Sequence, residues 1–376
     1  MKVKLRDVSN IIMGQSPDSS TYNTENIGLP FFQGNADFGE LNPIAKTWCS
    51  APIKIAYKNY ILISVRAPIG ALNIAAETCC IGRGLAALDV NNKICTQKYL
   101  WYLLEAKKNE LISKGTGSTF KAISKNILSE MEFNIPPVRE QELCTKTLDV
   151  VFCLIRLKKE QLDKLDLLVK SRFVEMFGTF PDNPKGWECC TIRDIVKEVR
   201  YGSSRPAVEG GQYPYLRMNN ITYEGTLDLS EIKYIDVPEK ELEKCTVRKG
   251  DVLFNRTNSK ELVGKTCLYD RDESMVLAGF IIRVRVNDKV VPEFLVAFLN
   301  MDFSKKMLFN KCKAAIGQAN INAQELQNIE IYLPHLALQK EFVSLKYQVD
   351  KSKLAIQQSL DELETLKKSL MQQYFG

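Results

Sequence analysis

A single histidine, His335, stands in the whole chain, and that scarcity removes much of ordinary catalytic chemistry. No histidine lies near a serine or cysteine to make a nucleophilic dyad. The eleven cysteines include no C-x-x-C pair, so the paired ligands of a zinc site are missing. They are odd in number and scattered, with adjacent pairs at Cys79-Cys80 and Cys189-Cys190, and read as buried, reduced thiols that pack as small hydrophobes. There is no G-x-x-x-x-G-K-[ST] loop, and Gly82-Arg83-Gly84 is too short for a nucleotide-binding fingerprint. No apolar run approaches the roughly 18 residues that cross a bilayer. The start, Met1-Lys2-Val3-Lys4-Leu5-Arg6-Asp7, lacks the apolar stretch of a signal peptide, so a soluble, cytoplasmic protein is expected. Neither sign of charge dominates. With 51 Lys and Arg against 45 acidic residues, the net +6 permits a polyanionic partner without demanding one.

What the chain does have is length and repetition. Its 376 residues suit two or three domains, and 45% hydrophobic with 26% charged residues is ordinary globular usage. Aligned on itself with a shift of 198, residues 123–178 run against 321–376 without a gap. Ile123 meets Ile321, Leu128 meets Leu326, Pro136 meets Pro334 and Gln141 meets Gln339. Leu162-Asp163-x-Leu165 returns as Leu360-Asp361-x-Leu363, and Phe177-Gly178 as Phe375-Gly376. Upstream the likeness fades. Leu29-Pro30-Phe31-Phe32 resembles Tyr213-Pro214-Tyr215-Leu216, and Tyr60-Ile61-Leu62-Ile63 before Arg66 resembles Asp251-Val252-Leu253-Phe254 before Arg256.

The plan is therefore globular unit, helix, globular unit, helix, with divisions at 1–135, 136–179, 180–333 and 334–376. Each helix follows a proline break, Ile135-Pro136-Pro137-Val138 or Leu333-Pro334-His335-Leu336, since proline is tolerated at a helix start and not inside. Leu148, Val151, Ile155, Leu162, Leu165 and Val169 recur by threes and fours, an a/d heptad seam with Lys158 in the missing place. In the second helix Val349, Ile356, Leu363 and Leu370 keep the d positions apolar, while Leu360 shares the a positions with lysines. These seams predict two helices packed antiparallel, with part of the interface left for another protein. The globular units mix β-like runs (Ile55 to Val65, Leu85 to Val90, Met275 to Val286, Ile329 to Leu333) with helical stretches (Thr96 to Lys108, Pro292 to Phe309), a mixed α/β (α+β) class in two copies.

On these residues the chain resembles the specificity subunits of Type I restriction-modification systems, over essentially its whole length. The phrases that carry the likeness are Pro136-Pro137-Val138-Arg139-Glu140-Gln141, Pro334-His335-Leu336-Ala337-Leu338-Gln339, the repeated helices after them, and Arg66-Ala67-Pro68-Ile69-Gly70. In the second phrase His335 replaces the usual second proline and Leu338 the usual glutamate. The resemblance implies two target-recognition domains that each read one half of a split double-stranded DNA sequence. It also implies an antiparallel helical spacer around which two methyltransferase subunits dock, joined by restriction (motor) subunits. S-adenosylmethionine, and ATP with Mg, are then expected on those partners and no cofactor or metal on this chain. A pseudo-two-fold repeat on one chain suits two half-sites that differ. Helices of roughly 38 residues, about 57 Å long, span at most about 17 base pairs, so the spacer acts as a ruler for the gap.

Base edges are read by Arg, Lys, Asn and Gln. In the first domain the candidates are Gln33 and Asn35, Arg66, Lys114 and Ser118 in a Gly-rich segment, and Lys121. In the second they are Arg217, Asn219 and Asn220, Arg256, Asn258 and Lys260, and Lys313 with Gln318 and Asn320. Enzyme-like patterns do not hold. Ile135-Pro136-Pro137-Val138 lacks the polar residue and the aromatic of an amino-methyltransferase loop, and Asp89 with Glu105-x-Lys107 has only the spacing of a nuclease site. A coiled-coil scaffold that reads no DNA is the competing class; it gives no reason for two related, diverged domains.

Overall fold

The computed structural model describes residues 1–116, 121–315 and 318–376, with the side chains of 313–315 and 318 left aside. The chain divides into two compact units, one of 1–159 with 357–376, the other of 160–356.

In the first unit a four-stranded antiparallel sheet runs in the order Ser9–Met13, Leu85–Val90, Ile61–Ser64, Leu72–Ile74. Ile61–Ser64 is buried at every position, which is why it reads as an unbroken apolar run and not as an alternation. A second sheet pairs Leu29–Phe32 in parallel with Cys79–Ile81. Lys2–Lys4 pairs with Glu132–Asn134, so the domain's first and last strands meet beside the long helix. Helices Gln97–Ala106 and Lys108–Lys114 cover the main sheet; the Thr96 side chain caps the first by accepting from the Tyr99 amide.

The second unit repeats the main elements of this plan. Its main sheet is Val196–Tyr201, Ile281–Val286, Val252–Asn255, Thr266–Leu268. Tyr213–Leu216 pairs in parallel with Met275–Leu277, and Glu188–Thr191 pairs with Glu330–Leu333. Helices Pro292–Asn300 and Asp302–Lys311 take the place of the earlier pair, the first opened by a proline.

Several expected elements are split. Ile55 to Val65 is two strands in different sheets, turned at Asn59 with φ 71°. Met275 to Val286 breaks at Ala278-Gly279-Phe280, and Pro292 to Phe309 breaks at extended Met301. Hydrophobic content continues across each break, so periodicity alone did not reveal it.

The two long helices run Val138–Phe177 and Leu336–Phe375, 40 residues each. Both units receive a half of each helix, and the halves pack antiparallel. In the first unit Lys159 Nζ lies 3.4 Å from Glu364, and the Lys367 ammonium 4.6 Å from the Phe152 ring centre. In the second, Lys353 Nζ lies 2.6 Å from Asp166, and Phe173 packs edge-on against Phe342 at 5.3 Å. Seven cysteines are buried as expected, Cys144 and Cys190 are half-buried, and Cys153 and Cys189 are exposed, which corrects the uniform expectation. Among the described residues no helix is long and apolar enough to cross a membrane.

Candidate nucleic-acid interface

In the first domain one hydrogen-bonded ladder gathers three loops. Asp37 accepts from the amides of Gln33 (2.7 Å) and Gly34 (3.3 Å) and so shapes the loop after Leu29–Phe32. Ser16 Oγ accepts from Gln33 Nε2 (3.1 Å) and from the Arg83 amide (3.3 Å). Gly84 donates to the Gln33 carbonyl, Val65 to the Gly84 carbonyl and Ile123 to the Val65 carbonyl, while Arg66 pairs with Ala122. Gln33, Arg83 and Arg66 are thereby brought to one exposed rim, and Arg66 and Lys121 line a cavity of about 510 Å³. Arg83 is not among the readers expected from sequence, since Gly82-Arg83-Gly84 has the look of a short nucleotide motif. Asn35 starts the short turn of this loop and is half-buried. Lys114 is paired with Glu110 at 2.6 Å on its own helix. Ser118 lies outside the described residues.

The second domain builds the same ladder. Ala278 donates to the Leu216 carbonyl, Arg256 to the Phe280 carbonyl and Ile321 to the Arg256 carbonyl, and Thr257 pairs with Asn320. These bonds set Arg217 in the place of Gln33, Phe280 in that of Gly84, Arg256 in that of Val65, and Thr257 in that of Arg66. The expected match of Arg66 with Arg256 is thus displaced by one residue; the strand register decides it, since a slip of one turns a side chain to the other face.

Arg256 packs its guanidinium 4.9 Å from the Tyr201 ring centre. The Nε atoms of Arg217 and Arg256 and Oδ1 of Asn320 are buried without a partner among the described residues. Asn219 is exposed. Asn220 is not placed to read anything: it is 3% exposed, its Oδ1 accepts from the Arg217 amide, and its Nδ2 donates to Asp228 and Glu231 carbonyls. It does the work of Asp37 in the other copy. Asn258 is occupied in its own turn, donating to Asn255 Oδ1 and accepting from the Ser259 amide. Lys260 lies 4.2 Å from the Phe309 ring centre, and the strands Lys313–Ala315 and Gln318–Asn320 carry Lys313 and Gln318, whose side chains fall outside the description. Lys265, unremarked in the sequence, is buried and donates to the Met218 and Ile221 carbonyls, holding the loop of Asn219; burial pulls its pKa below the usual lysine value. Among the described residues no group of three His, Cys, Asp or Glu is placed to hold a metal.

On the long helices, Leu148, Val151, Ile155, Val349 and Leu360 are buried, and Leu162, Leu165, Val169, Ile356, Leu363 and Leu370 half-buried. The seam residues pack inside the chain, Leu148 and Leu370 joining the first unit's core and Val169 the second's, so the part expected to remain for a partner is not on them. The apolar side chains left exposed are others. Leu143, Val150, Leu154 and Leu157 are spaced as a second heptad stripe, with Tyr347, Leu354 and Leu366 on the other helix.

A model of the Type I restriction modification DNA specificity domain matches residues 1–167 and again 184–365. The chain belongs to the Type I restriction-modification specificity family. A putative MjaX specificity subunit of Methanocaldococcus jannaschii is 40% identical over 156 residues, 42% of this chain and 37% of that protein. The EcoKI specificity subunit of Escherichia coli K12 is 23% identical over 252 residues, 63% of this chain and 54% of that protein. The chain thus matches between about a third and a half of the length of these two relatives. Among solved structures, the specificity subunit from M. genitalium superposes with a TM-score of 0.58 at 14% identity, covering 100% of this chain and 96% of that one. A chain from a structure on complex assembly and conformational transition of the type I R-M system gives 0.62 at 18%, covering 100% and 97%. Both share the specificity-family fold.

Proposed function

We propose that this chain reads a split DNA sequence for a Type I restriction-modification enzyme, each domain taking one half-site. The observation that carries the reading is the shared rim. The same backbone ladder presents Arg66 and Arg83 in one domain and Arg217 and Arg256 in the other. Arginine reads guanine edges in the major groove, so arginines at different places on one frame suit two different half-sites.

The chain acts without a catalytic centre of its own. S-adenosylmethionine belongs on methyltransferase subunits, which receive a flipped base, and ATP with Mg on restriction (motor) subunits. The exposed stripe of Leu143, Val150, Leu154 and Leu157 supports docking of a methyltransferase subunit on the first long helix, as an apolar patch on a helix face invites a partner.

Co-expression with a methyltransferase subunit of the same system, followed by mapping of methylated adenines, tests the reading. One two-part motif with a fixed gap is expected. A contiguous motif overturns the split reading, and a verified complex that adds no methylation leaves a scaffold.

A further inference from the structure

Phe280 is an aromatic side chain left 50% exposed at the tip of a pinned turn. Gly279 donates to the Ser203 carbonyl (2.7 Å), Ile281 to the Ala278 carbonyl (2.9 Å), and the Phe280 carbonyl accepts from Arg256 (2.9 Å). The phenyl group therefore stands on a fixed backbone. That last bond ties Phe280 to Arg256 just past the end of the ladder, where Asn255 opposes Ile281.

The first domain has nothing at this place. Its corresponding pair is Val65, which is buried, and Gly84, where an added Cβ would lie 2.5 Å from the Gln33 carbonyl oxygen. One copy of the frame thus forbids a side chain where the other mounts an exposed ring beside an arginine. Arg256 is itself braced against Tyr201, and its buried Nε has no partner among the described residues.

Resting on the DNA-reading function proposed above, we infer that Arg256 and Phe280 act as one reading unit in the second domain, the guanidinium on a guanine and the phenyl on the 5-methyl of a thymine in the adjoining base pair. Arginine pairs with guanine O6 and N7, and phenylalanine is among the side chains that contact the thymine methyl, both in the major groove. A ring carried on a pinned backbone has only side-chain freedom to lose on contact.

The test uses the complex with its methyltransferase subunit and synthetic duplexes carrying the mapped motif, with thymine replaced by uracil in each half-site in turn. One half-site is expected to hold thymine next to guanine. Uracil there weakens binding about four-fold, the worth of one buried methyl. F280A should bind both duplexes alike, and F280L should keep most of the preference. A two-part motif with no thymine beside guanine, or uracil tolerated by the unaltered protein, overturns the inference and leaves the split reading standing. Absence of any two-part methylation overturns both.

Discussion

Gln141 and Gln339 make the same three hydrogen bonds, each inside its own unit. Gln141 Oε1 accepts from the Thr96 amide (2.9 Å), and its Nε2 donates to the carbonyls of Ile94 (3.0 Å) and Pro136 (2.8 Å). Gln339 does so with Val291 (2.9 Å), Lys289 (3.4 Å) and Pro334 (2.7 Å). Both side chains are fully buried, and each ties the first turn of a long helix to the residue that opens a domain helix. Replacing either by alanine leaves a buried amide and carbonyls unsatisfied, at a cost of about 2–4 kcal/mol. Urea unfolding of Q141A and Q339A should show losses of this size; a change below about 0.5 kcal/mol would remove the role.

Glu198 anchors a charge network confined to the second unit. Its carboxylate meets Arg283 (2.7 Å) and Arg285 (3.0 Å), and Arg285 also reaches Asp251 (2.8 Å). Burial opposes the charge on Glu198, yet the hydrogen bond from Arg200 and the charges of Arg283 and Arg285 outweigh it and hold the pKa below the ordinary value. A depressed carboxyl pKa stabilises above its unfolded value, near 4.5, and that contribution is lost as pH falls through the folded value. Thermal melts should therefore show the wild type losing more stability than E198Q as pH drops below about 4.5. Parallel profiles would count against the network.

Arginines on the two rims should fail separately. R66A or R83A is expected to relax one half of the methylated motif, and R217A or R256A the other, each by about 1–3 kcal/mol of discrimination. Equal loss at both halves would mean damaged folding and not lost reading.

The long helices should set the gap. Seven residues added to each, after Lys159 and before Gln357, keep the heptad phase and add about 10 Å, or about three base pairs. Methylation mapping should find the same half-sites farther apart; an unchanged gap would end the ruler idea.

The two long helices are legible in the sequence because their signals are local. Proline breaks, heptad spacing and the exact shift of 198 placed Val138–Phe177 and Leu336–Phe375 nearly to the residue. The rims were harder. Which strand residue opposes which depends on long-range register, so Arg66 was matched to Arg256 when its counterpart is Thr257. Asn220 has a reader's composition but is buried, a distinction that only tertiary packing makes. Arg83 reaches the rim through Ser16, 67 residues away in sequence. The exposed stripe beginning at Leu143 is hidden in the sequence by the seam, since two interleaved heptad patterns share one helix.

The division of the long helices also orders the birth of the protein. The unit of residues 160–356 is one continuous stretch, all of it present once Ile356 is made. The other unit starts at Met1 yet lacks residues 357–376 until then, and Phe375, 5.2 Å from the ring of Tyr99, is buried in its core. Domains usually close on the ribosome in order from the N-terminus. Here the domain translated first is completed last, so its half-built core must wait through the synthesis of the other.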